Sequence, residues 1–423
     1  MAGESNIIND SVVGIDVHRD VLVCCAQWSE NGELRMETAS FRTFRNDLRK
    51  MAGWCASHSP DVVLMESTGV LWKSPYAFLE RRGLDAVVVN ARHVRAMVGK
   101  KTDMKDAEWL AHVGRLGCFN RSFVPGAEYQ SLRCVTRMIA KKTDEMSANK
   151  NRCMKILNDA GYRLGAVFSD PWGVNAQAAM DAIADGKSAD EIVAVLDTSR
   201  LRASPEDLRA ALDGELTPDH AIALRIARDS VRILGEQIGE MRAHVLRRVR
   251  ELGCERSLML LQSIPGVSEA SAAMMLVELG GGGLGSFATG DRLASWLGVC
   301  PGNNESAGKR RSGRTRKGNY YLRRTLCECA NAAVKAKGTT FQSKYRSLRV
   351  RLGAKRALIA IVNKMVHMVF IVLRRGDVYR DPNVDYGKIL AERNARRWLT
   401  AVIELGKWDI TAQNLETGEV LQS

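Results

Sequence analysis

The sequence predicts an α/β domain built on a mixed sheet, followed by a mostly α-helical remainder. Three observations predict it. Short runs rich in Val, Ile and Cys, bounded by polar turns, recur through the first 90 residues and fit strands of a buried sheet. From about residue 44 these runs alternate with helical patterns, as in a layered α/β unit. After Pro125 the strand signal fades and long stretches keep a helical period.

The elements follow in order. Strands are expected over residues 12–17, 21–26 and, after the turn Asn31-Gly32, 35–41. A helix over 44–57 leads to a strand over 61–65 that ends at Glu66. A helix over 71–82, a strand over 86–89 and a helix over 107–115 complete the domain. Beyond it, 128–158 and 220–252 read as long helices. Leu224, Ala227, Val231, Leu234, Ile238, Met241 and Val245 recur at spacings of three and four, which suits an antiparallel arm, a partner chain or an ordinary core stripe. Residues 161–218 read as less regular, with one acidic helix near 188–196. A third region carries helices near 291–297, 320–335 and 355–374, and the tail from Asp377 reads as peripheral. The expected divisions are 1–125, a helical connector 126–255, 256–375 and a tail 376–423.

Charge narrows the partner. The 423 residues hold 62 Lys and Arg against 48 Asp and Glu, a net +14, which argues for a polyanion. Nucleic acid ranks first and an anionic membrane second. Ten cysteines without a C-x-x-C pair suit reduced thiols rather than a zinc site. The first residues show no secretory signal, so a cytoplasmic location is expected. Residues 357–373 are strongly apolar but interrupted by Asn363, Lys364 and His367, which favours a buried helix over a membrane span.

Four carboxylates could carry chemistry. Asp16 lies in Val-Gly-Ile-Asp16-Val-His, Glu66 in Leu-Met-Glu66-Ser-Thr-Gly, and Asp103 and Asp106 in Lys-Thr-Asp103-Met-Lys-Asp106-Ala. Brought together, they would repel by about 4 kcal/mol per close pair unless a cation sat between them. Oxygen-only donors select Mg²⁺ or Mn²⁺ over zinc, and two such ions could serve a phosphodiester. A second role stays open for Asp103 and Asp106, because an Asp-x-x-Asp at a helix start also caps backbone N–H groups and complements the dipole.

The other constellation is the glycine-rich segment 301–319. Lys309, Arg310, Arg311, Arg314, Arg316, Lys317, Arg323 and Arg324 follow Ser306 with no acid among them, a composition that grips phosphates. Ser306 is a candidate nucleophile if a base or metal removes its proton, and Ser312 is the second choice. A solvated basic loop that only binds nucleic acid is the alternative. Ile264-Pro265-Gly266-Val267-Ser268 suits either a phosphate-binding hairpin between helices or a plain turn.

Asp16, Glu66 and Lys101-Thr102-Asp103-Met104-Lys105-Asp106-Ala107, with Ile264-Pro265-Gly266, Leu297-Gly298, Pro301-Gly302-Asn303-Asn304-Glu305-Ser306-Ala307-Gly308-Lys309 and Arg316-Lys317-Gly318-Asn319, resemble the DEDD transposases of the insertion sequence 110 family. The resemblance spans about residues 11–375. It implies a RuvC-like, RNase H-type domain whose four carboxylates hold Mg²⁺, joined by helices to a transposase domain in which Ser306 attacks DNA and forms a phosphoserine link. It further implies a homo-oligomer, dimer or tetramer, with active sites shared between protomers, and a structured guide RNA. The setting it implies is a prokaryotic cytoplasm, at the nucleoid when DNA is bound. Ala307 stands where the family pattern has glycine, and the 161–218 segment is long. A RuvC-like structure-specific nuclease without a covalent intermediate, and a non-catalytic nucleic-acid-binding protein, are the competing readings.

Overall fold

The structure, a computed structural model, describes residues 7–67, 69–90, 105–301, 304–306, 309–312, 315–407, 411–414 and 417–422. The chain divides into two compact units, Met1–Ala127 and Glu128–Ser423.

The first unit is a five-stranded mixed sheet. Its strands are β1 (Ser11–Val17), β2 (Val21–Glu30), β3 (Glu33–Arg42), β4 (Val62–Glu66) and β5 (Ala86–Val89), in the order β3-β2-β1-β4-β5. β1, β2 and β3 pair antiparallel, whereas β4 lies parallel to both β1 and β5. The Asn31-Gly32 turn puts both residues at positive φ, 53° and 81°, as a tight turn between twisted strands requires. Helices α1 (Arg45–Ser57) and α2 (Lys73–Arg81) cover one face, meeting Val13, Ile15, Val17, Val63 and Met65. Helix α3 (Asp106–Arg115) covers the other, meeting Val12, Val62, Leu64, Val87 and Val89. Burial on both faces explains why the central strands are continuously apolar rather than alternating.

In the second unit, α4 (Ala127–Asp159) and α9 (Pro218–Glu251) run antiparallel over about 50 Å. Side-chain contacts mark both ends: Arg248 pairs with Glu128 at 2.9 Å, and His220 Nε2 lies 3.3 Å from an Asp159 oxygen. Leu224, Ala227, Leu234, Ile238, Val245 and Val249 form the buried stripe of α9.

The segment between them is more ordered than its sequence suggests. It folds as α5 (Leu164–Val167), α6 (Val174–Ala184), α7 (Ala189–Ala194) and α8 (Pro205–Leu212). Leu164, Met180, Ile183, Ile192, Leu208 and Leu212 make one core with Leu157 and Leu224. Its elements are short, and α6 carries alanines on several sides, so no amphipathic stripe announces it.

The remaining helices are α10 (Glu255–Gln262), α11 (Glu269–Leu279), α12 (Gly290–Leu297), α13 (Tyr320–Ala333), α14 (Thr340–Leu352), α15 (Ala354–Arg375) and α16 (Tyr386–Glu404). Two small hairpins, β6 (Asn304–Ser306) with β7 (Lys309–Ser312) and β8 (Thr411–Gln413) with β9 (Val420–Gln422), complete the unit. Among the described residues α15 alone is long and apolar enough to cross a membrane. Ala357, Ile361, Val362, Met365, Val366, Val369 and Val372 are its buried residues.

Candidate functional site

Glycine 14 sets the geometry of the carboxylates. A Cβ there would overlap the Ala107 carbonyl and lie 2.9 Å from Leu110 Cβ, so only glycine lets α3 settle onto β1. Gly114 does the same one helix length on, where a Cβ would lie 3.1 Å from Leu64. Side chains alternate along a strand, so Asp16 shares the α3-facing side with Val12 and Gly14. β1 and β4 are parallel with Ile15 opposite Met65, which carries Glu66 to the position beside Asp16. Asp106 is the first residue of α3, next to the Ala107 that touches Gly14. Three of the four carboxylates therefore lie toward the same end of one sheet face.

This end is open and polar. The Asp16 side chain is 23% exposed, and its Oδ2 meets His18 Nε2 at 3.0 Å. Glu66 is half-buried and Asp106 exposed. The donors are carboxylate oxygens, which suits a hard divalent cation. Among the described residues, however, no three His, Cys, Asp or Glu side chains stand close enough to hold an ion. Asp103 lies outside the described residues. Asp106 and Glu108 also place negative charge in the first turn of α3, so complementing the dipole and offering a ligand are compatible roles.

The basic segment has a rigid base. Gly298 (φ 69°) and Gly318 pack back to back, since a Cβ on Gly298 would lie 2.8 Å from the Gly318 nitrogen. Asn319 caps α13 through the Leu322 N–H at 3.0 Å and donates to Glu278 Oε2 at 2.8 Å. Glu278 is 2% exposed and also takes Arg133 Nε at 3.1 Å and Arg137 Nε at 3.0 Å. Burial pulls the Arg133 guanidinium down to about 10 against the upward pull of Glu278, which leaves it charged at neutral pH. A buried, fully paired glutamate thus ties α4 and α11 to the foot of the loop.

Within the segment, β6 pairs antiparallel with β7 in a register that sets Ser306 opposite Lys309. The side chains of Ser306, Lys309, Arg310, Arg311 and Ser312, and all of Arg314, lie outside the described residues. Arg316 and Lys317 are exposed. Arg323 and Arg324 hold internal contacts. Arg323 donates to the Gly298 carbonyl at 3.2 Å and to Thr315 at 3.3 Å. Arg324 meets Asp144 at 2.7 Å and Glu328 at 3.2 Å, and the Asp144 hydrogen bond pushes its guanidinium up.

The Pro265-Gly266 turn points inward. Gly266 (φ 82°) packs where a Cβ would lie 2.6 Å from the Ala333 nitrogen of α13, so its glycine serves close helix packing. Sequence reasoning passed over α14 and its surroundings. Eleven Lys and Arg and no acid occupy residues 335–375, and Arg346, Arg349, Arg351, Lys355 and Arg356 are exposed without an ion pair among the described residues. A charge count over a window of about 40 residues would have found them.

Comparison with known proteins agrees with this layout. Residues 13–161 match the transposase family DEDD_Tnp_IS110, and residues 258–346 match the family described as Transposase IS116/IS110/IS902. The chain is similar to a probable family 20 transposase of Pseudomonas aeruginosa, 25% identical over 87% of this chain and 95% of the relative. It is also similar to the transposase for insertion sequence element IS1111A of Coxiella burnetii, 23% identical over 87% of this chain and 91% of that one. The first match holds Asp16, Glu66, Asp103 and Asp106, and the second holds Ser306 and the glycine-clamped loop. With a mixed sheet bearing the first match and a helical unit bearing the second, the chain belongs to the insertion sequence 110 family of DEDD transposases, enzymes that act on DNA.

Proposed function

We propose that this transposase cuts and rejoins the DNA of its insertion sequence through a two-part site, with acidic residues from the first unit and a serine from the second. The observation that supports the reading is the Gly14 close approach, which lays the start of α3, with Asp106 at its first position, over the strand that carries Asp16 and beside the strand that ends at Glu66. Asp103, three residues before Asp106 in sequence, is the fourth member of the set. Mg²⁺ or Mn²⁺ bound by these carboxylates would supply positive charge to the phosphodiester and favour ionisation of a nearby hydroxyl.

The chain's own residues do the rest. Ser306 Oγ loses its proton to an acidic-site carboxylate and forms a bond to phosphorus, while the bond from phosphorus to one sugar oxygen breaks and that oxygen takes up a proton. Rejoining reverses the exchange with a different sugar hydroxyl, which releases the serine. Lys309, Arg310, Arg311, Arg314, Arg316 and Lys317 neutralise the phosphate, and the Gly298–Gly318 clamp holds their loop at a fixed base. Arg323 braces that loop from α13, and Arg324 ties α13 to α4 through Asp144.

Two further parts of the proposal come from the family resemblance. A homo-oligomer, dimer or tetramer, brings the acidic unit of one protomer to the serine of another, and a structured RNA encoded beside the gene selects donor and target. The division into 1–125, 126–255, 256–375 and 376–423 belongs to the same proposal.

The test is strand exchange on a DNA carrying the element's ends. Ser306→Ala and Asp16→Asn should each lower exchange by about 10³-fold or more while duplex binding persists. If Ser306→Ala still cuts but no longer rejoins, hydrolysis by a RuvC-like nuclease replaces this reading.

A further inference from the structure

The first unit carries a second feature that its sheet chemistry does not use. On the layer opposite α3, helices α1 and α2 enclose a groove of about 300 Å³ lined by Arg45, Arg49, Arg81 and Arg82, with Ala52 and Phe78 as its floor. Arg45 and Arg49 stand one turn apart on α1 and so share a face. Arg81 ends α2, with its guanidinium 5.5 Å above the Phe78 ring, and Arg82 caps that helix and reaches to within 3.7 Å of where a Cβ on Gly53 would sit. All four arginines are exposed, and none forms an ion pair among the described residues. The nearby Asp47 is already taken by Arg42 at 3.1 Å. Four like charges held around one groove repel each other until an anion enters.

The chemistry narrows that anion. Arginine presents a planar fork that matches phosphate oxygens in pairs, which lysine cannot do. Phe78 lines the groove beneath the Arg81 guanidinium, and Phe44, beside Arg45 and 64% exposed, carries Arg42 5.1 Å over its ring, so exposed ring surface next to arginine is at hand for an unstacked base. We infer that this groove binds the phosphate backbone of a single-stranded nucleic-acid segment. Because α1 and α2 cover the sheet face opposite Asp16, Glu66 and Asp106, the segment held here is separate from the phosphodiester undergoing cleavage. The inference rests on the nucleic-acid role of the chain and not on Ser306 or a metal.

The experiment uses the full-length protein and two paired variants, Arg45→Gln/Arg49→Gln and Arg81→Gln/Arg82→Gln. Lys187→Gln/Arg209→Gln is the control, removing equal charge from residues already paired with Asp185 and Asp190. Affinity is measured against salt for labelled single-stranded RNA, single-stranded DNA and duplex DNA of equal length, with thermal melts to confirm folding. Each groove pair should weaken single-strand binding at least ~10-fold and flatten the log affinity against log salt plot by about 1.4, at about 0.7 for each of two lost phosphate contacts. Loss on RNA alone, or on both single strands, supports the inference and names the strand. Unchanged affinity and slope, loss no greater than in the control, or loss confined to the duplex overturns it. Failure of the cleavage reading is distinguishable, because Ser306→Ala would then still exchange strands while the groove variants kept their binding defect.

Discussion

Glycine 14 shows how one residue can decide whether a site exists. Any side chain there meets the backbone of α3, so Gly14→Ala must push the helix away from β1 and with it Asp106 away from Asp16 and Glu66. Overpacking of this kind costs about 1–3 kcal/mol. Chemical denaturation should show that loss, and strand cleavage should fall more than folding does; full cleavage in a folded Gly14→Ala protein would contradict the geometry. A pH-dependent contact lies at the sheet edge. Arg121 donates to both Asp85 oxygens at 2.6 Å, and this hydrogen bond holds the Asp85 carboxyl below its ordinary value. Its native pKa is lowered, so its share of stability is complete above the ordinary aspartate value of about 3.9 and is lost as pH falls through the native one. Urea midpoints measured from pH 6 down to pH 2 should therefore fall less steeply at the acid end in Asp85→Asn than in wild type.

Between elements, Glu278 is the joint that matters most. It belongs to α11, takes two arginines from α4 and binds the Asn319 that caps α13 and ends the basic loop. Removing the carboxylate leaves the buried Arg133 guanidinium beside the half-buried Arg137 with no negative charge between them, which costs about 3–5 kcal/mol. Glu278→Ala should lose that much in denaturant titrations and weaken DNA binding through the loop, whereas exposed Glu240→Ala should change neither. Much of this level was legible in the sequence. The Asn31-Gly32 turn, the apolar strands and the long helical periods marked the mixed sheet and both long helices, because each rests on local chemistry. The contents of 161–218 were not legible, since α6 hides its core face among alanines. α14 escaped notice because its buried anchors, Thr340 and Phe341, sit at one end only. The placement of Asp16 and Glu66 on neighbouring strands depends on strand register, and that of Asp106 at the same end depends on a helix resting on a glycine. Neither placement has a local signature.

At the scale of the whole chain, charge and family describe the same enzyme. A net +14 is concentrated where nucleic acid would bind: the loop after Ser306, the acid-free stretch 335–375 and the arginine groove of the first unit. Asp16, Glu66 and Asp106 lie instead toward one end of a sheet face. On the proposed function, phosphate binding falls to one set of residues and phosphate chemistry to another. The most direct test of that division is to stop strand exchange in the presence of Mg²⁺, digest the protein and look for nucleotide attached to a peptide by mass spectrometry. The account predicts a phosphodiester adduct on Ser306 that is absent from both Ser306→Ala and Asp16→Asn. Exchange that proceeds in Ser306→Ala, or an adduct found on another residue, would contradict it.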